Sequence, residues 1–231
     1  MPIWMIAIIA VLVLFIVLVV FAAIMNERRK QQERRQSLLL LGFQAIEPEA
    51  DLAERLIALH RTSPEQHYHL SDVYGLQEHD HQIYTYELSQ SGGTDASPSV
   101  GSHMAVFSPN LHLPRFILIP RLGGAGSLGN MLSGLLERAK PGNLTHIVMD
   151  DPLFERNYQV FGEQEEAVKA LFTPRRMGWL GSAQDYMVMG EGNAFLFTRF
   201  NLNELRSGKI DEAEMLQGAR AVFKVLEEDR W

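Results

Sequence analysis

Hydrophobic and polar positions divide this chain into two unlike parts. Residues 3–25 form an unbroken run without a charged side chain, nearly all of it apolar. Beyond residue 40 the apolar positions recur at short periods and are separated by polar turns.

In the second part Leu52, Leu56 and Leu59 fall at i, i+4 and i+7 and predict a helix over 51–60. Residues 68–74 and 82–88 read as a hairpin around Glu78, His79 and Asp80, with strand-favouring side chains at Ile83, Tyr84, Thr85 and Tyr86. Short strands come next at 104–107 and 116–119, then a helix at 128–139 and strands at 145–149 and 158–161. Residues 163–172 predict a helix with Ala167, Val168, Leu171 and Phe172 on one face, ended by Thr173-Pro174. A second hairpin spans 186–189 and 194–200 about Glu191, Gly192 and Asn193. The chain closes on an amphipathic helix over 211–228 with the stripe Met215, Ala219, Val222, Phe223 and Leu226.

Hairpins with segregated helices imply an α+β domain with a largely antiparallel sheet, flanking helices and a C-terminal helix, set after one N-terminal transmembrane helix. Its expected core gathers Phe154, Tyr158, Val160, Val168, Leu171 and Phe172 under the sheet, with Val222, Phe223 and Leu226 covering the same face. Residues 90–102, rich in Ser and Gly, read as a flexible loop inside the domain. Residues 42–46 and residues 157–161 each precede a helix and a hairpin, a shared βαββ order at slight identity.

The first part is long enough to span a bilayer. A helix over residues 3–25 covers roughly 34 Å against a hydrocarbon core of about 30 Å. Trp4 stands where an interfacial ring is favoured. A cleaved signal peptide needs a charged start and a small-residue cleavage site, and neither is seen here, so an uncleaved anchor over 1–25 is expected. The run holds no ionisable group, which speaks against an ion or substrate path, and no Gly-x-x-x-Gly pattern.

Charge then sets the orientation. Arg28, Arg29, Lys30, Arg34 and Arg35 lie after the run within a basic juxtamembrane tether, 26–40, and no Lys or Arg precedes it. Cations beside a span stay on the cytoplasmic side, so the expectation is an inner-membrane, single-pass chain with its N-terminus outside and residues 41–231 cytoplasmic. The same five cations can meet anionic head groups at the membrane surface. Only Glu27 and Glu33 oppose them in the tether, so the rest of the chain is more acidic than its net charge of −7. An acidic domain is a poor nucleic-acid partner, because phosphate binding needs a concentrated basic face. Cys is absent, which removes disulfides and thiol chemistry.

Several motifs carry possible chemistry. Gly124, Gly126 and Gly129 form G-x-G-x-x-G after an apolar strand, and a later strand ends at Asp150, as a dinucleotide site would require. Residues 120–123 separate strand from glycines, however, and the later strands pair as hairpins, so a connection before a helix N-terminus outweighs a nucleotide site. His67/His69 and His79/His81 are His-x-His pairs; His79 and His81 are the metal candidates, against exposed histidines on a hairpin as the simpler reading. Asp150-Asp151-Pro152 reads as a strand end and turn. Arg175, Arg176 and Trp179 read as solvated cations beside a core anchor, with a partner or membrane contact as the sharper alternative. There is no Gly-x-Ser-x-Gly.

Two segments carry a resemblance. Residues 113–120 fit L-P-x-F-x-L-x-P, and residues 152–172 fit P-x-F-x-x-x-Y-x-V-x-G-x-x-E-x-x-V-x-x-L-F. Both resemble segments of an uncharacterised bacterial family of membrane-anchored proteins. The resemblance covers most of 41–226 and implies one cytoplasm-facing domain on an anchor; with no established activity in the family, it supplies no catalytic residue. The residues together point to a membrane-tethered interaction or scaffold module with no cofactor. Its partners are the bilayer and a further membrane or cytoplasmic protein, not nucleic acid. The alternative is a small-ligand or nucleotide-binding enzyme that uses residues 123–130.

Overall fold

Helix α1, Ile3–Leu40, takes in both the apolar run and the basic stretch, so the two are one continuous helix. The computed structural model describes residues 3–60, 67–91, 103–121, 144–183, 186–199 and 211–228. The chain divides into two compact units, Met1–Gly42 and Phe43–Trp231. In the first, Phe15, Leu18, Phe21, Ile24 and Met25 are all exposed. Among the described side chains up to Met25 the helix carries no polar group. Side chains of residues 3–14, 16 and 27 lie outside the described set, and among the described residues no helix is long and apolar enough to cross a membrane. The chain leaves α1 at Gly42, whose φ of 91° is a left-handed conformation that ends helices at little cost for glycine.

The second unit is α+β. Its strands are β1 (Gln44–Ala45), β2 (His67–Gln77), β3 (Gln82–Ser91), β4 (His103–Phe107), β5 (Leu113–Pro120), β6 (Thr145–Ile147), β7 (Tyr158–Gly162), β8 (Tyr186–Gly192) and β9 (Ala194–Arg199). Among the described residues they form one sheet in the order β1-β2-β3-β4-β9-β8-β5-β7-β6, every neighbour antiparallel. The helices are α2 (Ala50–Ala58), α3 (Pro152–Asn157), α4 (Glu165–Leu171), α5 (Pro174–Ala183) and α6 (Glu212–Glu227).

Strand alternation assigns the two faces. Phe197 on β9 meets Gly218 of α6, where an added Cβ would lie 2.5 Å from the ring. Leu196, next along the strand, points the other way and joins Leu56 of α2 in a cluster with Val73, Tyr86, Ala105 and Phe107. Helices α3 to α6 therefore cover one face, and α2 covers the other beside β2. Beneath the first face Phe154, Tyr158, Val160, Val168, Leu171 and Phe172 are all buried, as their spacing predicts. Phe172 packs edge-on against Phe116 and Phe154 stacks on Tyr158. These are the apolar positions of the second resembling segment, so that segment encodes core.

Two local corrections come from Asp-Pro and Thr-Pro. Asp151 does not simply end a strand in a turn. Its Oδ1 accepts from the Leu153 and Phe154 N–H groups at 2.9 and 3.0 Å, and Pro152 opens α3. Thr173 likewise precedes α5, which Pro174 begins, and its Oγ1 accepts from Arg176 N–H at 3.4 Å. The βαββ likeness does not extend to pairing: β1 joins β2 directly, whereas β5 lies between β7 and β8.

Candidate interaction groove

The surface feature with the most chemistry is a groove between α5 and α6. It encloses about 270 Å³ and is lined by Arg175, Arg176, Trp179, Ala221, Lys224, Val225 and Glu228. Arg176 builds it. This guanidinium is buried, and it donates to the carbonyls of Leu171 at 2.7 Å, Val225 at 3.0 Å and Leu226 at 2.8 Å. It thereby fastens the ends of α4 and α6 together, at helix C-termini where carbonyls lack intrahelical partners and a cation is favoured. The expectation of two solvated arginines is thus corrected for Arg176: the last carbonyls of two helices form a receptor for it.

Arg175 stays outside. Its Nη2 donates to Glu228 Oε2 at 2.8 Å, and Lys224 Nζ stands 3.8 Å from Glu228 Oε1. The side chains of Arg175 and Lys224 are 72% and 76% exposed, so solvent screens both pairs and they hold little energy. Trp179 is half-buried at the groove wall, 6.2 Å from the Tyr186 ring, rather than sunk in the core. Behind Val225 lies an apolar seam lined by Phe116, Leu118, Phe172, Leu180, Val188, Val222 and Leu226, with only about 10 Å³ of free space. The sequence singles out the α5 side of this groove. On the α6 side, Ala221, Lys224, Val225 and Glu228 look like the outer face of a helix, because nothing local shows which helix they meet.

The hairpin turn holds a second polar cluster. His79 is exposed, but His81 is buried, which corrects the reading of both as exposed. The cause is α6: the His81 ring stacks on Phe223 with centroids 4.0 Å apart. His81 Nδ1 hydrogen-bonds Asp80 Oδ1 at 2.8 Å, while Nε2 lies 3.0 Å from Glu78 Oε2 without hydrogen-bond alignment. Glu78 also accepts from Arg220 Nε at 2.8 Å, and Ser108 Oγ donates to Asp80 O at 3.0 Å. The hydrogen bond from His81 holds the Asp80 carboxyl below its usual range. This is a clasp between the turn and α6. Among the described residues no group of three or more His, Asp or Glu side chains could hold a metal ion.

A third cluster sits on the opposite face. His60 Nε2 hydrogen-bonds Tyr86 Oη at 2.7 Å, the His60 and His103 rings meet at 4.8 Å, and His103 Nδ1 reaches Thr198 Oγ1 at 3.0 Å. Burial, then the charge of His103, pushes the His60 pKa well below its ordinary value. Burial raises Tyr86. Both groups are therefore neutral near pH 7 and form a hydrogen-bonded pair that joins the turn after α2 to β3.

Gly124, Gly126 and Gly129 lie outside the described residues. Asp150 is exposed after β6. The strands that flank the glycine-rich stretch, β5 and β6, are separated in the sheet by antiparallel β7. A dinucleotide fingerprint sits instead in a unit of neighbouring parallel strands. His69 is exposed on β2, beside the partner strand's Ser89. Arg28, Arg29, Lys30 and Arg35 are exposed on α1, Arg34 is half-buried, and Arg29 Nε donates to Glu33 Oε1 at 2.9 Å.

No family model and no curated protein matches the chain. Among solved structures, the crystal structure of the mycobacterial trehalose monomycolate transport factor A, TtfA, is similar. The likeness has a TM-score of 0.53 at 12% sequence identity and covers 86% of this chain and 93% of that one. At that identity the likeness is one of fold.

Proposed function

We propose that this chain is a membrane-tethered interaction module: α1 anchors it in the inner membrane, and the α+β unit faces the cytoplasm and docks a protein partner. The observation that carries the reading is α1 itself. Its apolar run continues without a break into a helix bearing Arg28, Arg29, Lys30, Arg34 and Arg35, and the described side chains before Met25 are apolar and exposed. Exposed apolar side chains around a whole helix are stable in lipid and unfavourable in water. The basic flank supports that orientation.

The fold likeness to a transport factor supports a narrower form of the proposal, in which the module serves a membrane transport assembly. The groove between α5 and α6 supplies a docking surface. The clusters at His81 and His60 link the turn to α6 and the end of α2 to β3, which favours a structural part for both over catalysis. Affinity capture of the full chain from detergent-solubilised membranes tests this reading. A stoichiometric protein partner is expected. A chain recovered alone, with metabolite turnover by the purified protein, reverses it in favour of a ligand-binding enzyme.

A further inference from the structure

We infer that the groove between α5 and α6 binds a short acidic segment of a partner protein, one that presents a carboxylate beside an apolar side chain. The inference rests on the interaction-module reading and names the class of ligand.

Charge complementarity points to an acidic occupant. The domain belongs to an acidic chain, yet two exposed cations, Arg175 and Lys224, converge here on one carboxylate, Glu228. Arg176 adds no recognition, since three backbone carbonyls engage its guanidinium. Glu228 occupies the place a partner carboxylate would take. Because its pairs with Arg175 and Lys224 are solvent-screened, exchanging one carboxylate for another costs little. Arg175 also offers the planar fork that suits a carboxylate.

The apolar part of the groove points to a peptide. Trp179, Ala221 and Val225 form an apolar wall beside the charges. A half-exposed Trp next to an Arg is the composition of binding hot spots. The seam behind Val225 holds only about 10 Å³, so the occupant lies along the groove and does not thread into the core.

The test uses the full chain in phosphatidylcholine nanodiscs. A fluorescein-labelled peptide of Glu and Leu residues should bind saturably, and its Lys-for-Glu counterpart should not. Combining Arg175→Glu with Lys224→Glu should weaken binding about tenfold or more. Ala221→Trp, which fills the groove and keeps its charge, should weaken it likewise, while Lys224→Arg should retain it. Unchanged binding in the charge-reversed chain overturns the inference. So does saturable binding of short-chain phosphatidylglycerol, lost on charge reversal, with no binding of the acidic peptide. Capture from solubilised membranes separates the two levels. A partner recovered equally by the parent and the charge-reversed chain refutes the groove and leaves the module reading standing. A parent that recovers no partner and turns over a metabolite refutes the module reading.

Discussion

Single side chains carry this fold in ways their neighbours in sequence do not announce. Arg176 looks like Arg175 in the sequence, yet one is a buried clamp on three carbonyls and the other a solvent-facing cation. Arg176→Ala should destabilise the domain by about 1–3 kcal/mol, since it leaves buried carbonyls without donors, and Arg176→Lys should not restore it. Arg175→Ala should stay within about 0.5 kcal/mol. Urea unfolding of the full chain in detergent distinguishes the two; equal losses would contradict the assignment. His79 and His81 make a similar contrast. Their spacing suggests a shared face, but the turn and the α6 ring of Phe223 treat them differently, and that contact spans far too much sequence for periodicity to reveal. His60 yields a pH prediction. Its pKa is lowered in the fold, so the fold prefers the neutral ring. The stability it contributes is complete above the unfolded value of about 6.5 and falls as pH drops from there toward the lowered folded value. Unfolding at pH 7.5 and 5.5 should show a loss at the lower pH that His60→Gln reduces; an unchanged difference would remove His60 as its source.

At the level of elements, most strands and the last helix are legible in the sequence because period and turn chemistry agree. Gly192, with φ at 59°, makes the second hairpin turn where Glu191, Gly192 and Asn193 predict one. Asp211 caps α6, its Oδ1 accepting from Ala213 and Glu214 N–H at 3.0 and 3.1 Å. Helices α3 and α5 escape sequence reading for one shared reason. An Asp or Thr before Pro both stops the preceding element and starts a helix, with the side chain as cap and Pro at the first helical position. The six residues of α3 and the two glycines within α5 leave too weak a period to resolve that ambiguity. The groove is half-legible for the same reason: Arg175 and Trp179 stand out, but their helix does not. Packing of α6 gives a sharp test. Gly218 lets it approach Phe197, so Gly218→Ala should cost about 1–3 kcal/mol despite better helix propensity. Phe172→Ala, which empties a buried site between Phe116 and Phe154, should cost about 3–5 kcal/mol. Thermal melts check both, and a Gly218→Ala chain as stable as its parent would mean that α6 is docked differently.

For the whole molecule, two units of opposite character succeed one another: an apolar helix with a basic flank, then an acidic α+β domain. In the proposed arrangement lipid covers the exposed apolar side chains of α1, and the cations after them stay on the cytoplasmic side. The orientation preference comes from charge asymmetry, so several Lys residues inserted before Ile3 should weaken it. Paired reporter fusions after Trp231 in bacterial cells test the central claim most directly. The account predicts that a phosphatase active only outside the cytoplasm stays silent and a cytoplasm-active fluorescent protein is bright, with the chain in the membrane fraction after carbonate washing. An active phosphatase, or a chain released by the wash, would contradict it.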